Sequence, residues 1–120
     1  MRFFRGITPT DIDGAIEIDG KVFMFFEIKY GEKDIDTGQR LFLERMVDRL
    51  NKTSKAIAIH AKHNIDDWEK DVDVSICNVV KYYSLSKTWI KPDKEILLKQ
   101  LCDSFVRKYG DSKYLDKEKN

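Results

Sequence analysis

This chain of 120 residues has only two cysteines, Cys77 and Cys102, far apart and in no Cys-x-x-Cys pair. Neither a disulfide framework nor a structural zinc site is therefore expected, because both need clustered thiols. Net charge is also nearly absent, at a formal +1. Bulk electrostatic attraction for nucleic acid is missing, so any such binding must come from local patches or a bound metal. No apolar run is long enough to cross a bilayer, and the opening MRFFRG lacks the apolar core of a signal peptide. A cytoplasmic location with no membrane partner is the expectation. The chain carries no phosphate-binding glycine loop, dinucleotide fingerprint or nucleophile elbow, which leaves a metabolic α/β enzyme without support. It shows no internal repeat and no interdomain linker.

What is present is a balance of 42% apolar and 36% charged residues. That composition fills one core and covers it with a heavily charged surface. The expected organisation is a single domain over 1–110 and a flexible charged tail over 111–120. Ile12, Ile16 and Ile18 alternate with Asp13, Ala15 and Glu17, the period of a strand. Asp19-Gly20 signals a hairpin turn. Val22 to Ile28 is almost wholly apolar, as in a strand buried on both faces. Leu43, Met46, Val47 and Leu50 recur at helical spacing, predicting a helix over 37–50. KAIAIH (55–60) reads as a strand, and 72–83 as another. Pro92 suits the first turn of a second helix running to about Lys108, ended by Gly110. Strand, strand, helix, strand, strand, helix is a mixed α/β domain.

The chemistry concentrates in the hairpin TDIDGAIEIDGKVFMFFEIK (10–29). A hard divalent cation takes oxygen ligands, and magnesium uses one or two carboxylates plus water. Asp13 and Glu27 supply two carboxylates, and the Ile28 carbonyl can supply a further oxygen. Lys29 shares a strand face with Glu27, since side chains alternate with period two. Its ammonium can then orient an attacking water or offset charge on a phosphate, an arrangement suited to phosphodiester hydrolysis. Geometry sets a condition. An unbulged two-residue turn at Asp19-Gly20 would send Asp13 and Glu27 to opposite faces. The site therefore requires an odd-length connection or a bulge, for example a G1 bulge pairing Glu17 with Lys21.

Asp13 followed by Glu27-Ile28-Lys29 resembles the motif of the PD-(D/E)XK nuclease superfamily, which includes restriction enzymes, Holliday-junction resolvases and RecB-type nucleases. TPTDIDGAIEI, FFEIKYG and GQRLFLERMVDRL together look like small phage-encoded members, over roughly residues 7–60. The resemblance implies a restriction-endonuclease-like mixed sheet. It also implies Mg²⁺ or Mn²⁺ at Asp13 and Glu27, Lys29 as the catalytic lysine, and DNA as substrate, with an endonuclease favoured over an exonuclease. It departs from the pattern in having Ile12 where proline is usual. The stretch ahead of the motif is also too short for the N-terminal helix that carries an extra glutamate in many members. One such site cuts one strand, so cutting both together makes a homodimer a candidate assembly. A non-catalytic nucleic-acid-binding protein retaining the fold is the alternative.

Several further residues are candidates. Gln39 lies on the apolar stripe of the first helix, where RecB-like members carry a glutamine beside the lysine; a solvated first-turn residue is the other reading. Asp11 is a candidate extra carboxylate, although a strand-entry residue is the plainer account. Arg5, Lys33 and Arg40 are candidate phosphate contacts, with Arg45 and Arg49 more simply a solvated helix face. His60-x-x-His63 lacks a third ligand for zinc. Trp68, Tyr82, Tyr83 and Trp89 can stack on bases, but packing is the default.

Overall fold

A computed structural model describes residues 5, 11–64 and 73–116. Its centre is a five-stranded mixed sheet in the order β1-β2-β3-β4-β5. The strands are β1 (Gly14–Ile18), β2 (Val22–Tyr30), β3 (Lys55–His63), β4 (Asn78–Tyr83) and β5 (Trp89–Ile90). β2 and β3 run parallel, and the other neighbours are antiparallel. The parallel pair needs a crossover, which is helix α1 (Thr37–Leu50). A second helix, α2 (Leu98–Tyr109), follows β5. The protein is thus a mixed α/β fold. Among the described residues no helix is long and apolar enough to cross a membrane.

The alternation along β2 explains why both its faces are apolar. Val22, Met24 and Phe26 pack with Ile57, Ile59 and the Leu98, Cys102, Phe105 and Val106 stripe of α2. Phe25 points the other way, with Ala56, Ala58, Tyr83, Ile35 and the Leu43 and Val47 stripe of α1. The two alanines of β3 leave room for α1 to lie close, while the isoleucines fill the α2 side. Leu43 is 1% exposed, and truncating such a residue costs about 2–5 kcal/mol. Both cysteines are free and buried.

Several boundaries differ from the sequence reading: β3 runs on to His63, and a short fifth strand, β5, precedes α2. β4 starts at Asn78, because Val74–Ile76 forms a 3-10 turn headed by Asp73, whose side chain accepts the Ser75 amide at 3.1 Å. α2 starts at Leu98 and not near Pro92. Ile96 instead accepts the Val79 amide at 2.9 Å, and Leu98 donates to the Cys77 carbonyl at 2.8 Å. Satisfying the edge of β4 takes precedence over an earlier helical turn. Gln100 then reaches back to the Leu97 amide at 2.8 Å and closes the helix start. Finally, the chain stays packed beyond Gly110. Ser112–Tyr114 is a 3-10 turn, Leu115 packs on the α2-side core, and the Tyr114 hydroxyl meets Asp19 at 2.9 Å. Only 117–120 of the expected tail lies outside the described residues.

Candidate active site

The β1–β2 hairpin pairs Ile18 with Val22 and Gly14 with Phe26. That leaves Asp19, Gly20 and Lys21 as the connection, an odd number, which is the condition the sequence set. The register is not the one with Glu17 opposite Lys21; Glu17 faces Phe23. Asp19 and Gly20 both take positive φ, at 54° and 66°, and Lys21 donates to the Ile18 carbonyl at 2.9 Å. Glycine suits such a position because it has no Cβ to clash. The Glu17 carboxylate accepts the Gly20 amide and fastens the turn.

One step past Gly14, Asp13 comes level with Glu27 on the α1 face. Its amide points to Glu27 Oε1 at 3.3 Å, and its own Oδ2 accepts the Ile28 amide at 2.7 Å. β1 runs close over β2 here: a Cβ on Gly14 would stand 3.0 Å from the Phe26 ring. Asp13 is exposed, whereas Glu27 is 1% exposed and its Oε2 has no hydrogen-bond partner. Burial, reinforced by the charge on Asp13, pushes the Glu27 carboxyl up to about 7; its contact with the Asp13 amide and the charge on Lys29 pull the other way. Lys29, two residues on, is on the same face, and its Nζ donates to Gln39 Oε1 at 3.2 Å. Gln39 is half-buried in the first turn of α1.

Among the described residues, no group of three or more His, Cys, Asp or Glu can hold a metal ion. The candidate is therefore a two-carboxylate site, which is what magnesium commonly uses alongside water. The unpartnered, buried Oε2 of Glu27 fits that role, since a buried carboxylate oxygen without a donor is a costly feature. Ile28 adjoins the pair; its amide is taken by Asp13.

Among the described residues, none of the other candidates makes a side-chain hydrogen bond or ion pair with Asp13, Glu27 or Lys29. Asp11 is exposed before β1, and Arg5 is exposed in a turn. Lys33 is exposed in the loop after β2. The Arg40 guanidinium is paired with Glu44 at 2.8 Å, and that carboxylate also accepts from Trp89 Nε1 at 2.7 Å. Arg45 and Arg49 are exposed on α1. Tyr82 and Trp89 pack on the two cores. Tyr83 is buried with its hydroxyl on Asp48, at 2.8 and 3.0 Å from the two oxygens. Trp68 lies outside the described residues. His60 and His63 have opposite parity on β3 and face opposite sides of the sheet.

Asp34 and Lys81 gather around His60, a grouping that no sequence spacing reveals. His60 is level with Glu27 across the parallel pair and with Lys81 on β4. Asp34, from the β2–α1 loop, meets Lys81 at 3.0 Å and lies 3.7 Å from His60 Nδ1. Burial first, then the charges of Lys81 and Lys29, hold the imidazole below its usual range and favour the neutral ring, against the opposing pull of Asp34 and of the Lys33 backbone.

No protein-family model, no curated protein and no solved structure matches this chain.

Proposed function

We propose that the protein is a metal-dependent nuclease that hydrolyses DNA phosphodiesters, built on a restriction-endonuclease-like core and acting as an endonuclease. The observation that carries this reading is the pairing of Asp13 with a buried Glu27 whose Oε2 lacks a partner, with Lys29 on the same face. Their position supports it. They sit toward the carboxyl end of β2, where it runs parallel to β3, and ligands of α/β sheets gather beyond such ends.

In this reading Asp13 and Glu27 hold Mg²⁺ or Mn²⁺ together with the Ile28 carbonyl. The ion supplies Lewis acidity at the phosphate and lowers the pKa of an attacking water. Lys29 orients that water and offsets the charge that develops on the phosphate oxygens. Gln39 accepts from Lys29 and limits where the ammonium can point, which makes it a positioning residue. Glu27 takes up its charged form most readily once a cation is present, because alone it is held near neutrality by burial. Cutting both strands of a duplex together calls for two such sites, and so for a homodimer.

The test is cleavage of plasmid and branched DNA with Mg²⁺ or Mn²⁺ by the wild-type chain, Asp13→Ala and Lys29→Ala. Cleavage by the wild type that both substitutions abolish supports the enzyme. DNA binding without metal and without cleavage supports a non-catalytic binding protein instead.

A further inference from the structure

On the same sheet face as the carboxylate pair, the cluster around His60 has no part in the chemistry described above. His60 is 2% exposed; its ring stands beside the Lys33 backbone, and neither nitrogen makes a hydrogen bond of full geometry. Its Nδ1 faces Asp34 Oδ1 at 3.7 Å, beyond hydrogen-bonding distance. That same oxygen accepts from Lys81 Nζ at 3.0 Å and from the Ile35 amide at 2.7 Å. The Lys81 side chain is 16% exposed and that of Asp34 68%. The lysine and the imidazole are thus the inner wall, and the carboxylate is the outermost member. Ile35 is buried against α1, so the loop is held from its far side. Displacing Asp34 requires its side chain to turn outward and give up the Ile35 amide.

Buried imidazole nitrogens without well-formed hydrogen bonds are uncommon, since each forfeits the bonds it made in water. Here they stand behind a carboxylate that also neutralises a nearly buried lysine. A lysine supplies a point charge that suits phosphate, and a neutral imidazole supplies one further N–H donor. We propose that Lys81 and His60 form a subsite for a phosphate of the nucleic-acid backbone, and that Asp34 occupies this subsite in the free protein as an internal anion. The proposal rests on the nuclease reading for its ligand. Glu27, His60 and Lys81 are level on three successive strands, so the subsite lies about 10 Å across the face from Glu27 at ordinary strand spacing. A strand of nucleic acid with one phosphate at Asp13 and Glu27 and a neighbouring phosphate at Lys81 would cross the ends of β2, β3 and β4. Asp34 must yield before that strand seats.

The experiment is equilibrium binding of fluorescent single-stranded and branched DNA to the full chain in EDTA, over a range of salt. Its variants are Asp34→Asn, Lys81→Met, both together, and Asp36→Asn. Asp36 is an exposed carboxylate on the same loop with no side-chain bond at the α1 start, and its replacement makes the same charge change. Asp34→Asn should tighten binding about threefold or more, with Asp36→Asn close to wild type. Lys81→Met should weaken binding and reduce the slope of log affinity against log salt by about 0.7–0.9, the share of one phosphate. The double variant should lose the gain of Asp34→Asn. Equal tightening by Asp34→Asn and Asp36→Asn would reduce the effect to net charge and overturn the subsite. So would an unchanged affinity in Asp34→Asn and Lys81→Met, which would make the pair a fastening of the loop to β4.

A second arm titrates inorganic phosphate against the Asp34→Asn variant while the His60 ring is followed by NMR. A saturable shift, weaker in the wild type, is expected. No shift overturns the subsite whatever the DNA result. Failure of the wild type to bind any DNA, with the phosphate shift present, counts against the nuclease reading alone and leaves an anion site.

Discussion

Asp13 is tied to the strand opposite it in two ways: its amide points to the Glu27 carboxylate at 3.3 Å, and its carboxylate accepts the Ile28 amide at 2.7 Å. The contact exists only because three residues, Asp19, Gly20 and Lys21, separate Ile18 from its partner Val22. Shortening that connection by one residue leaves the composition of the site intact and inverts its geometry.

Deleting Lys21 should therefore abolish the response to metal. A two-residue turn re-pairs the hairpin by one step and turns Asp13 to the α2 face. Gly20→Val is the control. With φ at +66°, a β-branched residue there should cost about 1–2 kcal/mol yet keep the parity. Thermal denaturation with and without Mn²⁺ separates the two. The deletion should lose the metal-induced rise in Tm, and Gly20→Val should retain it at a lower baseline.

The raised pKa of Glu27 makes stability depend on pH. With the folded-state value about 7 against 4.5 for the free group, the folded protein binds a proton that the unfolded chain releases earlier. Below about pH 4.5 this group has no cost. As pH rises through 7 the folded protein loses up to roughly 3 kcal/mol relative to a neutral group at that position. Denaturant titrations of the metal-free protein should show that fall between pH 5 and pH 8. Glu27→Gln should flatten it and be the more stable protein at pH 8. Mg²⁺ or Mn²⁺ should stabilise the wild type more at pH 8 than at pH 5.5, and the Gln variant at neither.

Much of this architecture was legible in the chain. β2 shows because Phe25 and Phe26 serve opposite cores, leaving no polar interruption before Glu27. α1 shows because Leu43 and Val47 lie one helical turn apart. Hairpin parity could be posed as a condition, since Asp13, Glu27 and the turn signal are all local. The start of α2 was hidden because Ile96 and Leu98 are claimed by β4, a tertiary contact that outranks the helical signal of Pro92. The polar neighbours of His60 were hidden for a related reason. Its alignment with Glu27 is set by the crossover through α1, and Asp34 reaches Lys81 from a loop that carries no periodicity.

The bond between Tyr83 and Asp48 ties β4 to α1 and so steadies the helix that carries Gln39. Burial and the Asp48 carboxylate push the tyrosine hydroxyl up to about 12, so it remains a donor at any ordinary pH. Tyr83→Phe should cost about 1–2 kcal/mol, because it also leaves Asp48 half-buried without that donor. Measured by denaturation at pH 7, the loss should come without any change in metal response.

Lys29 and Gln39 separate chemistry from placement. Lys29→Met removes the ammonium and should lower kcat on cleavable DNA by about 10²-fold or more, with KM little changed, as for a charge that acts in the transition state. Gln39→Ala leaves the ammonium in place without its anchor at 3.2 Å. It should lower kcat about tenfold, again with KM nearly constant. Gln39→Glu keeps an oxygen acceptor at the same reach and should recover most of that loss. A glutamine that merely packs would behave differently: Gln39→Ala would lower Tm, kcat would follow the folded fraction, and the glutamate would rescue nothing.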